Sequence, residues 1–168
     1  RAGNPAVLVA CYGNRAFDDA LVELWDLASE QGLVPIAGAA FVCEHSFSSP
    51  ATPIAVGRPD VADLARAREF GLLSRQMLHA PTTSPAVPGN RPYKPRPEHT
   101  SKPPAHDPGR CTRCGTCVPL CPTGALTLDD TLRTDSAACI SCCACIKACP
   151  QKARSIEDPR LSAVAVRL

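Results

Sequence analysis

Aromatic residues are scarce in this 168-residue chain, at 4%, with one tryptophan, two tyrosines and four phenylalanines. A core built from it must rely on Ala, Val and Leu, which the apolar content of 45% allows. Charge of one sign is lacking too: Lys plus Arg number 18 against 16 Asp plus Glu. With neither a basic stripe nor stacking platforms, no nucleic-acid partner is expected. No run of 18 apolar residues occurs, so no membrane span is expected. An apolar signal-peptide core is also missing behind Arg1-Ala2-Gly3-Asn4-Pro5. The first residue is not Met, and the chain is expected to be a fragment of a longer protein. Cysteine, by contrast, is plentiful at eleven residues. The count is odd, the cysteines are bunched, and no secretory segment precedes them. These features exclude a secreted disulfide framework and point to a reducing cytoplasm.

Composition separates the chain into zones: 1–79 with helix and strand patterning, a proline-rich linker at 80–108, a cysteine-rich domain at 109–158 and a tail at 159–168. In the first zone, Val7–Cys11 is an apolar run that reads as a buried strand, followed by a turn at Tyr12-Gly13-Asn14-Arg15. Between Asp18 and Gln31, Leu21, Leu24, Trp25 and Ala28 recur at helical spacing, and Gly32 stands at the C-cap. Leu33–Val42 reads as a second strand, which completes a βαβ unit. A further helix is predicted from Arg58-Pro59-Asp60, with Val61, Leu64 and Ala65 inward and Gly71 as its stop. Nine of the 18 prolines fall in 80–108, where they deny backbone donors and predict an extended, semi-rigid tether carrying Arg91, Tyr93, Lys94 and Arg96.

Nine of the eleven cysteines lie in 109–158. Cys111-x-x-Cys114-x-x-Cys117-x-x-x-Cys121-Pro122 is repeated 28 residues later as Cys139-x-x-Cys142-x-x-Cys145-x-x-x-Cys149-Pro150. A cubane needs a thiolate at four corners; a tight loop with a cysteine every third residue supplies three. Zinc sites use separated cysteine pairs, whereas here triples precede Cys-Pro and neither run contains His, which favours iron–sulfur chemistry. Pro122 and Pro150 are expected to end short helices, and Leu126–Leu128 with Leu132–Thr134 to form a hairpin around Asp129-Asp130-Thr131. Cys143 is expected to point away from any cluster as a free thiol. Cys11 and Cys43 are expected to be buried small hydrophobes. His45, His79, His99 and His106 share no ligand spacing.

The two runs resemble those of bacterial-type ferredoxins, in which the fourth thiolate of each run binds the other cluster. The resemblance implies two [4Fe–4S] clusters, one held by Cys111, Cys114, Cys117 and Cys149, the other by Cys139, Cys142, Cys145 and Cys121. The whole chain resembles a family of flavodoxin–ferredoxin fusion proteins. Its matching stretches are Tyr12-Gly13-Asn14-Arg15-Ala16-Phe17-Asp18-Asp19-Ala20, Gly38-Ala39-Ala40-Phe41, Glu44-His45-Ser46-Phe47-Ser48, Gly57-Arg58-Pro59-Asp60, Pro88-Gly89-Asn90-Arg91-Pro92-Tyr93-Lys94-Pro95 and Cys139-Ile140-Ser141-Cys142-Cys143-Ala144-Cys145.

That resemblance implies an α/β flavodoxin-like remnant (two parallel strands plus helices) joined to an α+β bacterial 2[4Fe–4S] ferredoxin-like domain. Tyr12, Gly13 and Asn14 then correspond to an FMN-type loop, with Tyr12 the stacking residue. The first half of a flavodoxin is missing upstream of Val7, so FMN is expected only in a complete flavodoxin domain. The implied function is an electron carrier without its own substrate site, relaying single electrons between redox partner proteins in a low-oxygen cytoplasm. The alternative is the electron-transfer part of a flavin-dependent oxidoreductase. In a third reading, residues 1–79 dock the ferredoxin part onto a partner.

Overall fold

The computed structural model describes residues 3–79, 86–95 and 103–156. The predicted tail at 159–168, together with Arg96 and His99, lies outside them. The chain divides into two compact units, the described part of the first ending at residue 95 and that of the second beginning at 103. Among the described residues no helix is long and apolar enough to cross a membrane.

The first unit is a small α/β assembly. Strand β1 (Pro5–Tyr12) pairs in parallel with β2 (Val34–Val42), and helix α1 (Ala20–Glu30) connects them. The register slips at the Ala6/Val7 step, opposite Pro35, which has no amide to donate to the ladder. Helix α1 buries Leu21, Val22, Trp25 and Ala28, and Leu21, Trp25 and Ala28 cluster with Leu8 of β1. Leu24, predicted inward, is instead exposed, one position off that stripe. The helix ends as its sequence predicts: Gly32 adopts φ 79°, its amide donates to Ser29, and the Leu33 amide donates to Ala28. This is a Schellman arrangement, in which a left-handed glycine lets the last carbonyls be satisfied.

Helix α2 (Val61–Met77) departs from expectation in two ways. It runs through Gly71, since one helical glycine costs only about 1 kcal/mol and no cap competes there. Its inward residues are also different: Val61 is 85% exposed and Leu64 and Ala65 are exposed, while Asp63 and Ser74 are buried. The reason is a capping box. Asp60 accepts from the Asp63 amide (2.9 Å), Asp63 accepts from the Asp60 amide (2.9 Å), and Arg58 pairs with the Asp63 carboxylate. The Arg58 guanidinium holds the Asp63 carboxyl well below the usual carboxylate range. Once Asp63 is turned inward, Phe70 follows on the same face and meets Phe41 of β2 edge-on, centroids 5.9 Å apart.

Cys11 is exposed and Cys43 half-buried, so neither is the buried hydrophobe expected. Cys11 shares a pleat with Val7 and Val9, all opposite the α1-facing Leu8, and that side of β1 is open.

Part of the segment read as a tether is docked. Residues 86–95 lie along α1, held by a row of carboxylates. Asp19 accepts from the Asn90 amide (2.8 Å), the Asn90 side chain (2.7 Å) and the Lys94 amide (2.7 Å). Asp26 accepts from Arg91 (2.6 Å) and from the Tyr93 hydroxyl (2.7 Å). Proline density forbids helix and sheet here, but it leaves a stiff segment that side chains can grip. Gly89 sits so close to Val22 that a Cβ would come within 2.2 Å of it, and Val87 packs against the α1 core.

In the second unit, β3 (Ala105–His106) pairs antiparallel with β6 (Arg154–Ser155), and β4 (Leu126–Leu128) with β5 (Leu132–Thr134). The β4–β5 pair is the predicted hairpin. The short helix α3 (Ala144–Lys147) precedes Cys149-Pro150 as expected, whereas the first run reaches Cys121-Pro122 through turns.

The clamp generates a test. Asp19→Ala in the full chain is expected to raise amide exchange at Asn90 and Lys94 about tenfold, as loss of hydrogen bonds to a charged acceptor would. Unchanged protection would show that proline stiffness alone holds the segment.

Candidate metal centre

The two cysteine runs share their turns and left-handed positions at an offset of 28, although only the second contains a helix. Each begins with an aspartate that closes a turn through its own side chain. Asp107 accepts from the amides of Gly109 (2.9 Å) and Arg110 (3.3 Å), and Asp135 from those of Ala137 (2.8 Å) and Ala138 (3.4 Å). The first cysteine of each run then donates its amide to that aspartate's carbonyl, at 3.2 Å for Cys111 and 3.1 Å for Cys139. Left-handed residues curl both loops: Arg113 and Gly115 in the first, Ser141 and Cys143 in the second. Such a curl lets cysteines three apart line one concavity.

Beyond each Cys-Pro the chain turns again, at Gly124 (φ 65°) and Lys152 (φ 48°). The Ala125 amide donates to the Cys121 sulfur (3.2 Å) and the Ala153 amide to the Cys149 sulfur (3.3 Å). Amides aimed at sulfur favour the thiolate and are a lever on the potential of a bound cluster. Burial alone would raise the Cys121 thiol, but the Thr123 hydroxyl and the neighbouring amides bring it below its ordinary value. Cys114 is lowered as well, first by the Thr116 hydroxyl, which stands 3.3 Å from its sulfur.

The strands then cross the runs. Pairing of β3 with β6 joins the entrance of the first run to the exit of the second, and β4 with β5 does the reverse. As a result, one cavity is lined by Cys111, Cys114 and Cys117 together with Cys149. A second is lined by Cys139, Cys142 and Cys145 together with Cys121. Among the described residues no three donors close on a single point. They ring two separate volumes.

Cys143 also lines the second cavity, at the position where the first run has Gly115. It is 2% exposed, its thiol donates to the Ser141 carbonyl (3.4 Å), and burial pushes that thiol up to about 12.

Sequence reasoning missed Arg154, which is buried and lines both cavities. The signal was available: superposing the repeats puts Arg154 on Leu126, a charged residue where its counterpart is core. His106, paired with Arg154 across β3–β6, was assigned nothing and lines the first cavity.

Tyr12, Gly13 and Asn14 belong to the first unit. Tyr12 ends β1 with its ring edge-on to Phe17 (5.3 Å). Gly13 lies against the His45 ring, where a Cβ would approach within 2.1 Å, and Asn14 is left-handed at φ 67°.

No curated protein matches this chain. Residues 104–127 match the family model for a 4Fe–4S binding domain, a stretch that runs from just before β3 through Cys111, Cys114, Cys117 and Cys121 into β4. It lies wholly within the second unit. The spacing of the first run, the cavity it lines and this match agree: the chain carries a 4Fe–4S binding domain.

Proposed function

We propose that this chain binds two [4Fe–4S] clusters and relays single electrons between partner proteins. The observation that carries the reading is the lining of the two cavities, each by three cysteines of one run and the fourth of the other. On this reading Cys111, Cys114, Cys117 and Cys149 hold one cluster, and Cys139, Cys142, Cys145 and Cys121 the other. A bound cluster supplies a site that takes up and gives back one electron. The protein's part is to fix the thiolates, donate amides to sulfur and keep water away. Leu126, Leu132 and Ile146 pack around Cys145, with Val118 and Leu128 beside them. A low-oxygen cytoplasm suits clusters that oxygen readily oxidises.

A second reading is favoured by one feature of the first unit. Tyr12, Gly13 and Asn14 stand at the carboxyl end of a parallel strand pair, where α/β folds bind ligands. A flavodoxin-like domain completed by further chain would take FMN there, and the whole would be part of a flavin-dependent oxidoreductase.

The full chain, prepared anaerobically, is expected to carry about eight irons. Cys114→Ser is expected to lower that to about half and remove one of two reducible signals. An unchanged iron count would sink the ligand assignment. Cys143→Gly is expected to keep all the iron. It relieves a left-handed residue, worth about 1 kcal/mol, and loses packing of similar size, so the unfolding midpoint should move little. Loss of iron would instead make Cys143 a ligand. Offered excess FMN and then desalted, the chain is expected to retain no flavin absorption, because among the described residues the parallel sheet beside Tyr12 has two strands. Retained flavin peaks would favour the second reading.

A further inference from the structure

Arg154 is 3% exposed. Its Nη2 donates to two neutral oxygens, the Pro104 carbonyl (3.2 Å) and the Thr134 hydroxyl (3.0 Å). Among the described residues its Nε and Nη1 are buried with no hydrogen-bond partner. A guanidinium cannot shed its charge, and burying one with idle donors is costly unless an anion is brought alongside. Arg154 lines both cysteine cavities, so whatever fills them meets it.

The first of these cavities is lined by Cys117 of the first run and the second by Cys145 of the second run, so Arg154 stands beside both runs. The symmetry of the repeats also isolates Arg154: Leu126 occupies the matching place, so a single cation stands where two apolar residues would satisfy the fold.

We propose that Arg154 is a positioning residue shared by the two cluster sites, its Nε–H and Nη1–H donating to cluster or thiolate sulfur on either side. This rests on the two-cluster reading above. On reduction each cluster takes one electron from an external donor, dithionite or an electrode, and gains one negative charge. A fixed cation beside it stabilises the reduced form more than the oxidised one, so Arg154 raises both potentials. Thr134 and Pro104 act as its anchors, aiming the fork by holding Nη2.

The test is a redox titration of the full chain, loaded anaerobically and followed by the paramagnetic signals of the reduced clusters. Arg154→Leu, which copies the first repeat, is expected to retain the wild-type iron count. At any fixed poise both clusters should show a reduced-to-oxidised ratio about tenfold lower, equivalent to about 59 mV for a one-electron couple. Unmoved potentials, or a shift confined to one cluster, would overturn the proposal. If Arg154→Leu does not load, Arg154→Gln keeps a donor without the charge and is expected to load with both ratios lowered at least threefold. Wild-type ratios in Arg154→Gln, or failure of both variants to load, would assign Arg154 to folding alone and equally overturn it. A wild-type chain with one cluster would defeat the two-cluster reading itself, whereas two clusters with unmoved variants would defeat only this inference.

Discussion

Two short strand pairs carry the second unit. Each is only two or three residues long, yet each ties the start of one cysteine run to the end of the other. Beside them the Asp107 amide donates to Ala153 and the Asp135 amide to Ala125, at 2.9 and 2.8 Å. These bonds bring Cys149 to the cavity of the first run and Cys121 to that of the second. Ladders this short have little stability of their own. The reading in which clusters occupy the cavities accounts for this, because metal–thiolate bonds then contribute folding energy that the small core cannot.

The repeats share their turns and cysteine positions and differ at most other side chains, three pairs of which line the cavities. Gly115 matches Cys143, His106 matches Thr134, and Leu126 matches Arg154. A duplicated loop needs only its turns, its left-handed positions and its cysteines to keep its shape. What surrounds the sulfurs is free to vary, and the environment of sulfur is what sets a cluster potential within its wide range. Identical ligand spacing therefore does not imply two equivalent sites.

The first unit depends on carboxylates placed on helix faces. Asp63 decides which side of α2 turns inward, overriding the apolar residues at 61 and 64. Asp19 and Asp26 hold the proline-rich segment, and Gly89 allows the close approach to Val22. The stretch Pro88–Pro95 thus has a packing reason for its residues. Val87, Gly89, Asn90, Arg91, Tyr93 and Lys94 each meet a partner on α1, at its start or in the core beneath it, which a solvated tether would not require.

Local rules were legible in the sequence wherever the physics is short-range. The βαβ unit, the glycine ending α1, the hairpin at 126–134 and the two cysteine runs all follow from period, turn chemistry or ligand spacing. The docking of residues 86–95 was not legible, because it is set by contacts with residues distant in sequence; the rotation of α2 is set by Arg58, Asp60 and Asp63, neighbours in sequence whose polar pairing a count of apolar periodicity passes over. A charged pair can outweigh an apolar stripe only when its partner is known to be near. Arg154 is the clearest case. Its counterpart Leu126 can be read from the repeat, but its place between two cavities arises only when β6 folds back onto β3. The sequence by itself determined which sulfurs are available and at what spacing; the tertiary structure decided how they are shared between two cavities and which cation lies between them. Spacing is a property of one segment, whereas sharing needs two segments brought together.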